Sequence, residues 1–408
     1  MNQIKNPNNN LTILILGLLT AFGPLSIDMY LPSFVSLSEE FAVPISQIQL
    51  TLGAFIIGMG AGQIFYGPLS DQYGRRTSLF VGLFLYICSS FLCIYAHSVE
   101  QIILLRFIQG LGGCAGTVMA RAVVRDLYDG DDAAKIFSVL MLIMGVAPIL
   151  APTIGGFILS AYTWRIIFII LGCIGVLAFI NVLFFLKETN PKEKRNPRAL
   201  KMAFSTYREI VKDKSFIGYL CTGGMIQGVL FSYITGSSFV FMKYYHLTES
   251  QYGLLFGLNA FGLIMASQVN RYLLSRMSIN QIIKRVTLVN FICACFLLFN
   301  GITETFGFYG IAVPLFFCIA SIGMVFPNTT AGALLNHSTH AGSASALLGT
   351  LLFVFGSSST LSVSLFANGT LIPMTAVIFF CSLMGLSLFR FLVLRNDQSA
   401  VAESSSKS

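Results

Sequence analysis

Charge is the scarcest commodity in this 408-residue sequence. Lys, Arg, Asp and Glu together make up 10% of the residues, against roughly 25% in soluble domains. A soluble chain that is also 55% hydrophobic would expose apolar patches that aggregate. A lipid bilayer is the environment that accepts it. The marks of catalysis are missing too. No loop carries a His/Asp/Cys cluster at metal-ligand spacing, and there is neither a GxSxG nor a GxxxxGK followed by Ser or Thr. These absences argue against a metalloenzyme, a serine hydrolase and an ATP-driven pump, so no enzyme, cofactor or metal site is expected. The nine cysteines all fall in apolar runs without a CxxC and a His partner, and read as small polarizable packing residues.

What is abundant is long apolar runs. A span needs about 20 mainly apolar residues to cross the hydrocarbon core. The chain supplies candidates at 11–34, 47–68, 77–97, 100–121, 135–160 and 164–186, then 216–241, 250–272, 281–302, 306–328, 341–367 and 370–394. The expected fold is therefore all-α integral membrane, twelve transmembrane helices in two six-helix halves. The organisation reads as a polar N-terminus at 1–10, an N-terminal half at 11–186, a basic linker at 187–214, a C-terminal half at 215–395 and a Ser-rich disordered tail at 396–408. The run from Leu11 reads as a retained first helix, not a cleaved signal peptide. Pro24, Pro148 and Pro152 are the expected kink sites of the longer spans.

The basic residues orient these spans. With the N-terminus inside, twenty-two of the 25 Lys and Arg fall on the cytoplasmic side, nine of them between Lys187 and Lys214. Only Arg165 and Lys243 fall outside, and Arg106 lies within a span. This is the positive-inside bias, with both termini cytoplasmic. It accounts for the net charge of +8 without nucleic acid. The basic linker could also touch anionic lipid headgroups, but a plain connector is the better reading of it. Two-halved carriers of this plan hold a small-molecule substrate near the midplane and rock one half against the other.

The segment GPLSDQYGRR at 67–76 resembles the signature motif of the major facilitator superfamily. SIDMYLP at 26–32, LRFIQGLGG at 105–113, ARAVVRDLY at 120–128, MGVAPILAPTIGG at 144–156 and WRIIF at 164–168 are similar to its bicyclomycin-resistance branch of drug-efflux carriers. The likeness is close over residues 11–190 and looser beyond, where AGSASALLGT at 341–350 supports it. It implies a proton/drug antiporter of the bacterial inner membrane working by alternating access, with protons, membrane lipid and a small-molecule substrate as partners and a monomer as the working unit. Gly67, Asp71, Gly74, Arg75 and Arg76 would form a cytoplasmic latch that holds one conformation through ion pairs; a basic hairpin is the plainer alternative. Arg121, Arg125 and Asp126, at the inner end of the fourth span, would join that latch, although inward anchoring also explains the arginines. Gly145, Pro148, Pro152, Gly155 and Gly156 have the shape of the antiporter motif on the fifth span, where small residues and prolines also serve close packing.

Two charges lie well inside spans. Asp28 sits about six residues before the expected outer end of the first span, near Phe34, and Arg106 about six residues into the fourth. At 1.5 Å per residue both are roughly 9 Å deep, as an ion pair or a shared cavity wall requires. An ionised carboxylate in lipid costs on the order of 3 kcal/mol, so Asp28 should face an interior cavity. Arg keeps its proton, which makes Asp28 the member able to titrate. The alternative is a permanent ion pair locking the two helices. Gln109 follows Arg106 by three residues and shares its face. Tyr30, Gln227, Asn259 and Asn290 are further candidate cavity polars, each equally able to bond a neighbouring helix. His337 and His340 lie in an inner loop where relatives often carry acids. A dedicated exporter of one metabolite, such as a siderophore or amino-acid derivative, and a proton-coupled importer remain open beside the drug exporter.

Overall fold

The computed structural model describes residues 9–128, 130–337 and 341–394. The N-terminal residues before Asn9, His340 and the tail from Asn396 lie outside them. Twelve helices among the described residues are long and apolar enough to cross a membrane, and no strand occurs there. The chain divides into two compact units, residues 1–204 with 249–254, and residues 205–248 with 255–408. The division falls inside the segment expected as the linker.

In the first unit α1 (Asn9–Asp28), α3 (Ile45–Tyr73), α4 (Arg75–Cys93), α5 (Val99–Leu127), α6 (Gly130–Ala161) and α7 (Arg165–Phe185) are the spanning helices. The first span does not end near Phe34. After Asp28 the helix opens into a turn at Met29–Tyr30 and a 3-10 turn at Leu31–Ser33, then resumes as α2 (Phe34–Glu40). The interruption contains Pro32, the second residue of the 3-10 turn, while Pro24 lies inside continuous helix. Pro148 and Pro152 likewise lie within uninterrupted α6. Helix α3 runs six residues beyond Gly67, so most of the signature motif is helical; Gly74 then turns the chain into α4 at φ +102°, a conformation that favours glycine.

Helix α5 is the axis of this unit, packed on α1, α3 and α4. Its contact with α3 is backbone to backbone. A Cβ on Gly58 would collide with the carbonyl of Phe107, and one on Gly110 with the carbonyl of Phe55. Ser98 caps the start of α5 by accepting from the amide of Gln101. Large apolar side chains such as Leu14, Phe84, Leu104, Phe157 and Phe184 face outward, as a lipid-bathed surface demands.

The linker is more than a connector. A 3-10 turn at Lys192–Lys194 leads into α8 (Ala199–Ile210), which the apolar-run criterion could not reveal. The second unit contains α9 (Lys214–Ser238, continued by a π turn to Tyr244), α10 (Glu249–Leu273) from Leu255 onward, α11 (Ile279–Thr303), α12 (Gly307–Leu334), α13 (Ala341–Leu365) and α14 (Ile372–Leu388). Here α9 is the axis, packed on α12, α13 and α14. Asp213 caps α9, and Ser278 with Gln281 forms a capping box on α11.

Candidate functional site

The centre of the first unit is a caged cation. Arg106 on α5 is fully buried. Its guanidinium carbon lies 4.5 Å from the ring centre of Tyr30, 4.2 Å from that of Phe55 and 6.0 Å from that of Phe168. One terminal nitrogen donates to Gln109 Oε1 at 2.6 Å, the other to the backbone carbonyl of Ser26 at 3.0 Å. Gln109 passes the chain on, donating to Ser90 Oγ at 2.7 Å. Tyr30 is fixed by its hydroxyl against Thr51 Oγ1 at 2.8 Å, and Ser26 Oγ meets the Tyr86 hydroxyl at 2.7 Å. Sequence reasoning had no means of choosing Phe55 and Phe168 from 37 phenylalanines, or of finding a backbone acceptor.

Asp28 is also buried, 3% exposed, at the last helical position before the interruption. The expected ion pair with Arg106 does not form among the described residues, and no described group donates a hydrogen bond to Asp28. The guanidinium instead spends its terminal nitrogens on Gln109 and Ser26, and residues two apart on a helix face different directions. A permanent Asp28–Arg106 lock is therefore absent from this conformation. The depth estimate also changes, because the first span continues to Glu40 and Asp28 lies about twelve residues before its end. Arg106 nonetheless reaches α1 two residues from Asp28. The link between the two is through the α1 backbone, with no contact between the side chains among the described residues.

Where α3 passes into α4, Arg75 joins two carboxylates. It bonds Asp71 four residues earlier on the chain and Asp126 at 2.9 Å, and it also donates to Ser70 Oγ at 2.5 Å. Among the described residues Arg121 reaches only the carbonyl of Thr117 on its own helix, at 3.4 Å. Arg125 is exposed and, among the described residues, meets no carboxylate. Arg76 donates to the carbonyl of Leu183 at 2.8 Å. The strongest member of this cluster was invisible in the sequence. Glu188 accepts the backbone amides of Arg75 at 2.9 Å and Arg76 at 3.1 Å, placing a carboxylate on the first turn of α4. Asn190 donates to the carbonyls of Ser70 and Asp71 at 3.1 and 3.2 Å, and Thr189 donates to Asp126 at 2.9 Å. Gly67 stands where added bulk would meet open space, so its glycine is not a packing requirement here.

On α6, a Cβ at Gly155 would meet the carbonyl of Met29, and one at Gly156 would lie 2.7 Å from the carbonyl of Glu249, within the same unit. Gly155 thus holds α6 against the interruption that follows Asp28, and Gly156 holds it against the start of α10. Gly145 and Pro148 are partly exposed and Pro152 is buried. At the outer end, Glu40 accepts from the indole nitrogen of Trp164 at 2.6 Å and from both terminal nitrogens of Arg165 at 3.1 and 2.7 Å. Arg165 also donates to the carbonyl of Ile94 at 3.2 Å. The signal that could have found this brace was Trp164, the single tryptophan, beside one of two outer bases.

The buried polar groups of the second unit are neutral among the described residues. Asn259 donates to the Tyr233 hydroxyl at 3.0 Å, and Thr235 to Thr360 at 3.0 Å. Asn290 bonds α12 through the Cys318 carbonyl at 3.1 Å and Ser321 at 2.7 Å. Gln227 is half-buried on α9. His337 stands 3.0 Å from Asp213, a pair that supplies an acid where the inner loop itself has none.

A model of the Major Facilitator Superfamily matches residues 16–363. The chain is 35% identical to an uncharacterized MFS-type transporter, YdgK, of Bacillus subtilis, over 91% of this chain and 92% of that one. It is 30% identical to a bicyclomycin resistance protein homolog of Haemophilus influenzae, over 98% and 100% of the two chains. Multidrug resistance protein D of Escherichia coli is 28% identical over 85% and 87%. The fold is shared with a D-xylose-proton symporter at a TM-score of 0.73, covering 94% of this chain and 97% of that one at 15% identity. Twelve spans and a family match of this extent leave one assignment: the chain is a multi-pass secondary transporter, not an enzyme, and belongs to the major facilitator superfamily.

Proposed function

We propose that the protein exports small drug-like molecules from a bacterial cytoplasm in exchange for protons, by alternating access. The observation that carries this reading is the arrangement of Asp28 and Arg106. A carboxyl group buried at an interruption of the first span lies two residues along the chain from the backbone carbonyl that holds a guanidinium without a carboxylate partner among the described residues. Arg106 holds a fixed positive charge, because a guanidinium does not give up its proton at working pH. Asp28 is then the group that exchanges a proton. A proton taken from outside neutralises Asp28 as substrate leaves, and its release inward resets the carrier for the next molecule.

The relatives named for bicyclomycin and multidrug resistance support the direction and the class of cargo. Gly155, which brings α6 onto the backbone at Met29, supports movement of the interrupted segment as a unit with α6. The cluster of Asp71, Arg75, Asp126 and Glu188 supplies ion pairs and capped helix ends that hold one conformation and must open for the other. Everted vesicles from cells expressing the protein, given a panel of lipophilic cations and antibiotics with and without a proton uncoupler, test the proposal. Uptake that collapses with uncoupler is the expected result. Uncoupler-insensitive uptake would remove the proton from the mechanism. A silent panel would transfer the proposal to a dedicated metabolite exporter.

A further inference from the structure

Helix α8 carries a surface that transport does not use. Its buried stripe is Ala199, Ala203, Tyr207 and Ile210, spaced three and four residues apart as one helical face. The rest of it is an unusual mixture. Met202, Phe204 and Val211 are 56%, 47% and 45% exposed, and they alternate with the exposed cations Arg198, Lys201, Arg208 and Lys212. Lys201, Phe204 and Arg208 fall at positions i, i+3 and i+7, so one aromatic ring stands between two basic side chains on a single face. Water is a poor environment for such a face, and a charged lipid surface is a good one.

The position of α8 says which surface is within reach. The segment entering it is tied to the cytoplasmic end of α3, where the amide of Asn196 donates to the Asp71 carbonyl at 3.1 Å. The Phe204 ring lies 6.4 Å, edge-on, from the ring of Phe65. Phe65 is a 43% exposed residue of the membrane-crossing helix α3, two turns before its inner end, and so belongs to the lipid-facing surface. An exposed ring in contact with a lipid-facing ring is at the level where headgroups give way to acyl chains. Between Lys187 and Lys214 the sequence has nine basic and four acidic residues, a local excess of the sign that anionic headgroups attract.

We infer that α8 lies on the inner leaflet and binds acidic phospholipid, with Phe204 and Met202 inserted between headgroups and Lys201, Arg208 and Lys212 on their phosphates. The test uses the full-length protein in lipid nanodiscs of phosphatidylcholine with a minority of phosphatidylglycerol. Phe204→Trp provides a reporter, read as the difference from the parent, whose only tryptophan is Trp164. One lipid at a time carries bromine on its acyl chain near the headgroup. Brominated phosphatidylglycerol should quench the reporter about threefold more than brominated phosphatidylcholine at equal mole fraction. Adding Lys201→Gln, Arg208→Gln and Lys212→Gln should equalise the two. Raised salt should weaken the preference without any further substitution, which keeps the test decisive if the triple variant fails to insert. Equal quenching by the two lipids in the reporter protein, or quenching by neither, would overturn the inference.

Discussion

Arg106 donates a hydrogen bond to the carbonyl of Ser26, two residues short of Asp28, and leaves the carboxylate without an ion-pair partner. A fixed charge whose terminal nitrogens rest on neutral acceptors, two residues along the chain from a buried carboxyl group, is a different device from a locked salt bridge. On the proposed mechanism Asp28, free of such a lock, is the group that binds and loses the proton.

The cage should tolerate no substitute for a planar cation. Arg106→Lys keeps the charge but cannot stack on Tyr30 and Phe55 while bonding Gln109 and Ser26. A desolvated cation–π contact is worth about 2 kcal/mol, so transport should fall roughly thirtyfold at unchanged membrane abundance. Initial efflux rates normalised to immunoblot signal check this.

Gly110 ties the cage to the helix packing, because a Cβ there collides with the backbone of Phe55, whose ring covers Arg106. Gly110→Ala should lower stability by about 1–3 kcal/mol through forced separation of α3 and α5. Gly67→Ala, where there is open space, should leave the melting temperature unchanged. A thiol-reactive dye melt of the two purified variants compares them.

The inner cluster should depend more on Glu188 than on Arg121 or Arg125. Glu188→Ala removes the acceptor of two amides on the first turn of α4 and should cost about 1 kcal/mol. Limited proteolysis of the linker should accelerate in that variant, whereas Arg125→Gln should be cleaved at the parent rate.

The outer brace contains its own reporter. Trp164 is 2% exposed and donates to Glu40. Hydrogen bonds to a charged group are worth roughly 1.5–3 kcal/mol, so Glu40→Gln should destabilise the outer end by about 2 kcal/mol. It should also shift Trp164 emission to longer wavelength as water enters. Steady-state fluorescence of the purified protein, which has no other tryptophan, reads this directly.

The membrane-crossing framework was legible because lipid imposes one rule on every span, and the twelve apolar runs obey it. Arg106 stood out as a base within a run, and Gln109 followed from helical spacing. What could not be read was anything that depends on distant partners. Glu188 meets Arg75 across 113 residues of chain, and Glu40 meets Trp164 across 124. Pro24, the expected kink site and a residue a long helix can absorb, lies within continuous helix, and the break comes after Asp28, where Pro32 is the second residue of a 3-10 turn. Helix α8 escaped because its apolar residues alternate with lysine and arginine, which lowers mean hydropathy below that of any span.

Proteoliposomes with an imposed pH gradient, comparing the parent with Asp28→Asn, give the most direct measurement. In the parent, substrate efflux should be driven by the gradient and accompanied by proton entry. In Asp28→Asn, substrate binding should persist while gradient-driven efflux and the accompanying proton flux both vanish. An Asp28→Asn protein that exports at the parental rate with the same proton flux would contradict the assignment of Asp28 as the proton carrier.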